Sequence, residues 1–188
     1  MSEMIDELLA DAREHMAKSV EATQQKFNTV RAGRANPQML DRIVVDYYGA
    51  QTPLKQLATL HAPEPRLLTI QPYDKSSMKA IERSIQESDL GLTPNNDGSI
   101  IRLQIPEMTE ERRRDMVKVA RSVAEEGRVA VRNTRRDCLQ ELRELKGGGD
   151  VGSDDEHRGE VELQKLTDEK IGELDALMKG KEAEVLEV

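Results

Sequence analysis

From Thr109 to Lys146 the chain contains no proline and places an apolar or small side chain every three or four residues: Met116, Ala120, Val123, Gly127, Val131, Thr134, Cys138 and Leu142. That period is helical and gathers these side chains on one face. A helix of this length with one apolar face gains most of its stability by covering that face. Two other stretches carry the same pattern. Residues 3–30 hold Ile5, Leu9, Ala12, Met16, Val20, Thr23, Phe27 and Val30, and residues 154–187 hold Leu163, Thr167, Ile171, Leu174, Met178 and Val185. Three such stripes close on one another as a three-helix bundle. The chain has one Phe, three Tyr and no Trp, so the core is aliphatic, which suits thin helical layers. Ser2 is placed to cap the first helix, and Thr109, followed by Glu110 and Glu111, opens the long one. Gly147 to Gly152 ends it, and Ser153 with Glu156 forms the pattern of a capping box for the last.

Residues 31–105 have a different character. Arg42 to Tyr48 is β-branched and aromatic, a strand, and Gly49-Ala50 is a turn. Pro53 to Leu60, Leu67 to Gln71 and Ser99 to Ile105 read as further strands, with Pro94 to Gly98 as a turn. Ser76 to Asp89 is an amphipathic helix with Met78, Ile81 and Ile85 on one face and Ser76 or Ser77 as its cap. The expected fold class is α+β: a bundle from residues 1–30 and 106–188 with a small β/α/β module, 31–105, inserted between its first and second helices. The module leaves the bundle twice, near Ala32-Gly33 and near Ile105-Pro106, which makes these four residues candidate hinge positions.

Net charge is −8, which alone argues against a nucleic-acid partner, but the charge is unevenly spread. Residues 147–188 hold 5 basic and 13 acidic side chains, whereas residues 112–136 hold 9 basic ones against Asp115, Glu125 and Glu126. At about 100° per residue, Arg114, Arg121, Arg128, Arg132 and Arg135 fall within a sector of roughly 60°, about 120° from the apolar stripe, with Arg136 and Lys118 at its edge. Two readings are open. The arginines form a row of phosphate-binding forks about 10 Å apart that tracks a nucleic-acid backbone, or they are a solvated face neutralised by Glu–Arg pairs. Every repeating position is Arg rather than Lys, and Glu125 is the only acid in the sector, which favours the first. With few aromatics for stacking single strands and no zinc-finger or RNP motif, the partner it fits is folded RNA, read by backbone and shape.

Enzyme signatures are missing from the sequence. His15, His61 and His157 are scattered without metal-ligand spacing, and Gly147 to Gly149 lacks a phosphate-loop context. The expectation is a non-enzyme without cofactor or metal. Cys138 is the single cysteine, as in a reduced, cytoplasmic protein. Met1 to Ala10 lacks the basic region of a signal peptide, and no apolar run approaches the roughly 20 residues of a membrane span.

A set of motifs now resembles a known family. Val30-Arg-Ala-Gly-Arg-Ala-Asn-Pro37, Val45-Asp-Tyr-Tyr-Gly49, Thr52-Pro-Leu-Lys-Gln-Leu57, Ser88-Asp-Leu-Gly-Leu92, Pro94-Asn, Leu103 to Pro106 with Thr109-Glu-Glu-Arg-Arg113, and Arg128-Val-Ala-Val-Arg-Asn-Thr-Arg-Arg-Asp137 together look like the bacterial ribosome recycling factors, in the same order along the chain. The resemblance implies an L-shaped, tRNA-sized monomer that binds between the ribosomal subunits after termination, its bundle on large-subunit RNA. It implies that elongation factor G with GTP then drives its movement and separates the subunits, freeing mRNA and tRNA. Carried over by position, Arg128 to Arg136 fall on the family's RNA-contacting segment, with Arg135 foremost. Arg31 and Arg34 lie in the exit motif of the first helix, facing RNA or next to the hinge, with a bridge between the two domains as the alternative for Arg31. The Gly147 to Ser153 connection looks looser than the family pattern.

Two rivals are kept. A structural adaptor would bind partner helices through exposed apolar heptads, insensitively to salt. A dormancy factor would use the same fold to hold ribosomes rather than split them.

Overall fold

A computed structural model of the chain describes residues 2–30 and 33–187; the expectations for Arg31 and Ala32 lie outside them. The chain divides into two compact units, Met1–Val30 with Arg114–Val188 and, inserted between these, Arg31–Arg113. The second division falls inside the first turn of the long helix, eight residues beyond the expected boundary at 105/106.

The larger unit is built on α1 (Glu3–Asn28), α4 (Glu110–Gly147) and α5 (Ser153–Leu186). Ser2 caps α1, its hydroxyl accepting from the Ile5 amide. Thr109 caps α4 in the same way, accepting from the Arg112 amide at 3.2 Å. The acids Glu110 and Glu111 at its start and Lys146 at its end complement the helix dipole. The core joins all three helices: Ile5, Ala12 and Met16 from α1, Val131, Cys138 and Leu142 from α4, and Leu163, Leu166 and Leu174 from α5.

The α4 stripe is shifted from the expected one. Val117 and Ala124 are buried, while Met116, Val123 and Thr134 are only half-buried. Val117, Ala120, Ala124, Gly127, Val131 and Cys138 follow the alternating three-four step of a heptad seam. Gly127 sits at a close approach of the helices: a Cβ there would lie 2.4 Å from Thr23 Oγ1 and 3.2 Å from Leu174 Cδ2.

The glycine-rich tip is hydrogen-bonded. The Gly149 amide donates to the Lys146 carbonyl and the Asp150 amide to that of Leu145, with Gly149 at φ +81°. This is a Schellman closure, and Val151 tucks into the core beside it. The expected Ser153–Glu156 capping box does not form. Gly152 is the N-cap without a side-chain bond, and Glu156 turns inward, 8% exposed, to an ion pair of 2.7 Å with Lys146. A carboxylate drawn to a cation across the tip is not available to cap its own helix.

The smaller unit is an antiparallel α+β module. The hairpin β1 (Val44–Tyr47) and β2 (Ala50–Pro53) turns at Tyr48-Gly49 rather than at Gly49-Ala50. Tyr48 (φ 49°) and Gly49 (φ 82°) are both left-handed, as a two-residue hairpin requires, and Asp46 holds the Gly49 amide at 2.9 Å. The expected strand from Pro53 to Leu60 is interrupted by a helical turn, α2 (Leu54–Leu57), which buries Leu54. Then β3 (Ala58–Glu64), β4 (Leu67–Pro72), β6 (Ile101–Gln104) and β5 (Pro94–Asn96) pair in the order β3-β4-β6-β5. Pro94 to Asn96, expected as turn, is therefore an edge strand, a place where proline costs no ladder bond. Helix α3 (Met78–Glu87) presents Met78, Ile81 and Ile85 to a core with Leu40, Val45, Leu68, Ile70 and Leu103. Its entry is capped by Asp74, which accepts from the Ser76 amide, rather than by Ser76 or Ser77.

The two chain segments that lead out of the module lie side by side. Gly33 (φ +70°) passes so close to Met108 that a Cβ would meet its sulfur at 3.2 Å. Ile105 belongs to the module, buried in its core with its amide on the Arg66 carbonyl at 2.8 Å.

Adding a methyl at Gly127 overpacks a buried, β-branched neighbour, costing about 1–3 kcal/mol, against a helix-propensity gain of about 1 kcal/mol. With a contact as short as 2.4 Å the cost wins. Gly127→Ala is expected to lower the urea midpoint, and Gly172→Ala, where nothing lies within 4 Å of the new methyl, to raise it.

Candidate nucleic-acid interface

On α4 the buried seam and the arginines are closer together than the expected 120°. With Val117 and Ala124 in the seam, its centre lies roughly 75° from the arginine sector. Arg114, Arg121, Arg128 and Arg135 thus border the seam, one step beyond its buried positions. Side chains there reach across to the neighbouring helix.

That neighbour is α5, antiparallel to α4 and rich in acids. Arg121 Nη2 meets Glu182 Oε1 at 2.9 Å. Arg128 donates from Nε to Asp175 Oδ1 at 2.8 Å, with Nη2 2.7 Å from the same oxygen, and from Nη1 to Glu125 at 3.1 Å. The bond to Asp175 raises its pKa further above the ordinary arginine value. Arg132 reaches Glu125 at 3.5 Å. Arg135 differs: its Nε donates to the neutral Gln164 Oε1 at 3.0 Å, and Gln164 Nε2 donates to Asp168 at 2.8 Å. Arg136 is 73% exposed, 3.7 Å from Asp137, and Arg114 is exposed at the head of the column. Arg34 is exposed and belongs to the other compact unit.

The partners Glu182, Asp175, Gln164 and Asp168 were not identified by sequence reasoning, which takes the acids of residues 147–188 only as a block of negative charge. The signal was present: Asp168, Asp175 and Glu182 recur every seven residues, as do Arg121, Arg128 and Arg135. Matching the two series needs the antiparallel register, which only the packed structure supplies.

The other flank of α4 faces α1 and is acidic. Asp11, Asp137 and Glu141 line a groove of 230 Å³ together with His15 and Cys138. Burial first, and then the charges of Glu141 and Asp11, push the Cys138 thiol up to about 11. This flank of α4 is acidic, whereas the opposite flank carries the arginines. Among the described residues no group of three or more His, Cys, Asp or Glu is placed to hold a metal ion. Among those residues, too, no helix is long and apolar enough to cross a membrane.

A family model described as ribosome recycling factor matches residues 23–186. The chain belongs to the ribosome recycling factor family. The ribosome-recycling factor of Rubrobacter xylanophilus is 54% identical over 188 residues, covering all of both chains. That of Halalkalibacterium halodurans is 54% identical over 98% of this chain and all of its own. A solution structure of the ribosome recycling factor covers both chains fully, with TM-score 0.86 and 38% identity. A second structure, of the T. thermophilus ribosome recycling factor with E. coli elongation factor G bound to the E. coli post-termination complex, superposes with TM-score 0.71 at 47% identity over 97% of this chain and 98% of that one. The function is therefore ribosome recycling, a part of protein biosynthesis. The α+β class, with a helical bundle and a small sheet module, is that of the family.

Two outcomes test the geometry. Arg128, only 23% exposed and bonded to two carboxylates, is in part a clamp between α4 and α5. Arg128→Ala is expected to cost about 1 kcal/mol or more of stability in urea unfolding, and Arg132→Ala less than about 0.5 kcal/mol. Cys138, with its thiol held up to about 11, is expected to resist iodoacetamide at pH 8 in the folded protein and to react promptly in urea.

Proposed function

We propose that the arginine column of α4 docks the helical unit on large-subunit ribosomal RNA at the intersubunit face of the post-termination ribosome. Elongation factor G in its GTP form then drives the inserted module, and the subunits separate, releasing mRNA and tRNA. The hydrolysis belongs to the partner, so this chain works in the cytoplasm as a monomer and a non-enzyme, without a cofactor. The observation that carries the reading is Arg135, a guanidinium beside the seam whose hydrogen-bond partner among the described residues is a neutral amide. A planar, permanently charged fork held by one nitrogen can offer its remaining N–H groups to a phosphate. Arg114, Arg132 and Arg136 extend the contact along the helix, and Arg121 and Arg128 add charge while also tying α4 to α5. Arg31 and Arg34 extend the contact from the exit of the first helix.

The hinge of this mechanism lies where the chain passes between units. Ala32 and Gly33 serve one crossing. Pro106, following the anchored Ile105, opens the irregular stretch up to Thr109 that serves the other. A module joined by two short segments swings as one body.

Light scattering of post-termination ribosomes is expected to drop only when this protein, elongation factor G and GTP are all present. Ribosomes that stay intact, in a control split by a known recycling factor, would point to holding rather than splitting. Arg135→Ala is expected to weaken binding to large subunits by about five- to 150-fold, the equivalent of roughly 1–3 kcal/mol for a lost charge-assisted contact. Unchanged affinity would remove Arg135 from the interface.

A further inference from the structure

Between α4 and α5 the ionic contacts form a ladder in one antiparallel register. Arg121 pairs with Glu182, and seven residues on along α4 and seven back along α5, Arg128 pairs with Asp175. Towards the tip, Arg143 and Glu160 keep the same antiparallel register at 4.0 Å. The rung between them is Arg135 and Asp168, both present in the sequence. That rung is not made. Gln164, one helical turn from Asp168 on the same helix, stands in between: its Oε1 accepts from Arg135 Nε at 3.0 Å and its Nε2 donates to Asp168 Oδ1 at 2.8 Å.

We infer that Gln164 is a positioning residue that withholds Asp168 from Arg135 and so keeps the Arg135 guanidinium un-neutralised for phosphate. The inference rests on the docking reading above. The amide fixes its own orientation, since a flip would set its NH2 against the guanidinium and its carbonyl against the carboxylate. Through Nε it holds the guanidinium in place with a neutral acceptor. Among the described residues nothing else accepts from Arg135, so its two Nη groups are left without an acceptor from α5. At the Arg121 and Arg128 rungs carboxylates of α5 bond the guanidinium directly, and a phosphate binding there must compete with them.

The experiment is a rescue series measured by binding to purified large ribosomal subunits over a range of salt concentrations. Gln164→Ala frees Asp168 to complete its rung. Affinity is expected to fall about tenfold, and the slope of log affinity against log salt to fall by about one phosphate contact. Adding Asp168→Ala to that chain is expected to restore both quantities. In an Arg135→Ala background neither change is expected to matter. Urea midpoints of all variants identify any loss that comes from folding instead. Wild-type affinity in Gln164→Ala, or a defect that Asp168→Ala does not repair, overturns the role of Gln164 and leaves Arg135 docking intact. Wild-type affinity in Arg135→Ala overturns the docking assignment itself, and the positioning role falls with it.

Discussion

The close approach of three helices at Gly127 sets the rest of the larger unit. Thr23 of α1 and Leu174 of α5 both come within van der Waals reach of the point where a Cβ would be, so α4 is caught between its two neighbours with little freedom to rotate. Rotation matters because α4 has two charged flanks. With the seam fixed on Val117, Ala120, Ala124, Gly127 and Val131, the arginine column is turned onto the edge of α5 and the acidic face of Asp137 and Glu141 towards α1. A rotation by one seam position would separate Arg121 and Arg128 from Glu182 and Asp175. The contact that excludes a side chain at one residue is thus what aligns the guanidinium groups over four helical turns.

Much of this architecture was legible from periodicity. Long stripes at helical spacing survive local ambiguity, and Ser2 and Thr109 carry their own capping chemistry, so α1 and α4 start where the residues say they do. What failed was local and had competitors in space. Val117 and Ala124 rank no higher than Met116 and Val123 as apolar residues, and both pairs keep a three-four step; packing against two neighbouring helices decides which pair is buried. Glu156 fits a capping box on spacing alone, but Lys146 lies across the tip, and an ion pair won over an amide. Pro94 looked like a turn because proline cannot serve a central strand, whereas the edge of a sheet accepts it. The arginine sector was found by counting along one helix; its partners belong to another.

The inserted module shows the same division between local and distant causes. Its α3 helix and the strands β4 and β6 follow directly from alternating or helical apolar patterns. The hairpin turn moved by one residue because Tyr48 adopts a left-handed φ that few bulky residues accept, supported by Asp46 on the Gly49 amide and by its hydroxyl on Ser76. Ile105 carries a boundary lesson. It ends a strand and precedes a proline, which marks it as a transition, yet its side chain is sealed into the module core. A residue at the end of an element is free to move only if its side chain is.

Charge on this chain is best understood rung by rung rather than as a total. The −8 net charge and the acid-rich α5 do not cancel the arginine column uniformly. Glu182 and Asp175 consume two guanidinium groups and thereby tie α4 to α5. Gln164 spares a third. Arginine is the residue that can serve both ends, since Nε can be held by the neighbouring helix while the two Nη groups point elsewhere. A lysine ammonium carries its three donors on one atom, so a phosphate and a partner on α5 would have to crowd around the same point. The border position of Arg121, Arg128 and Arg135 accounts for arginine there: α5 holds each of them on one side, and the chemistry of α5 at each rung decides how much of the fork is left.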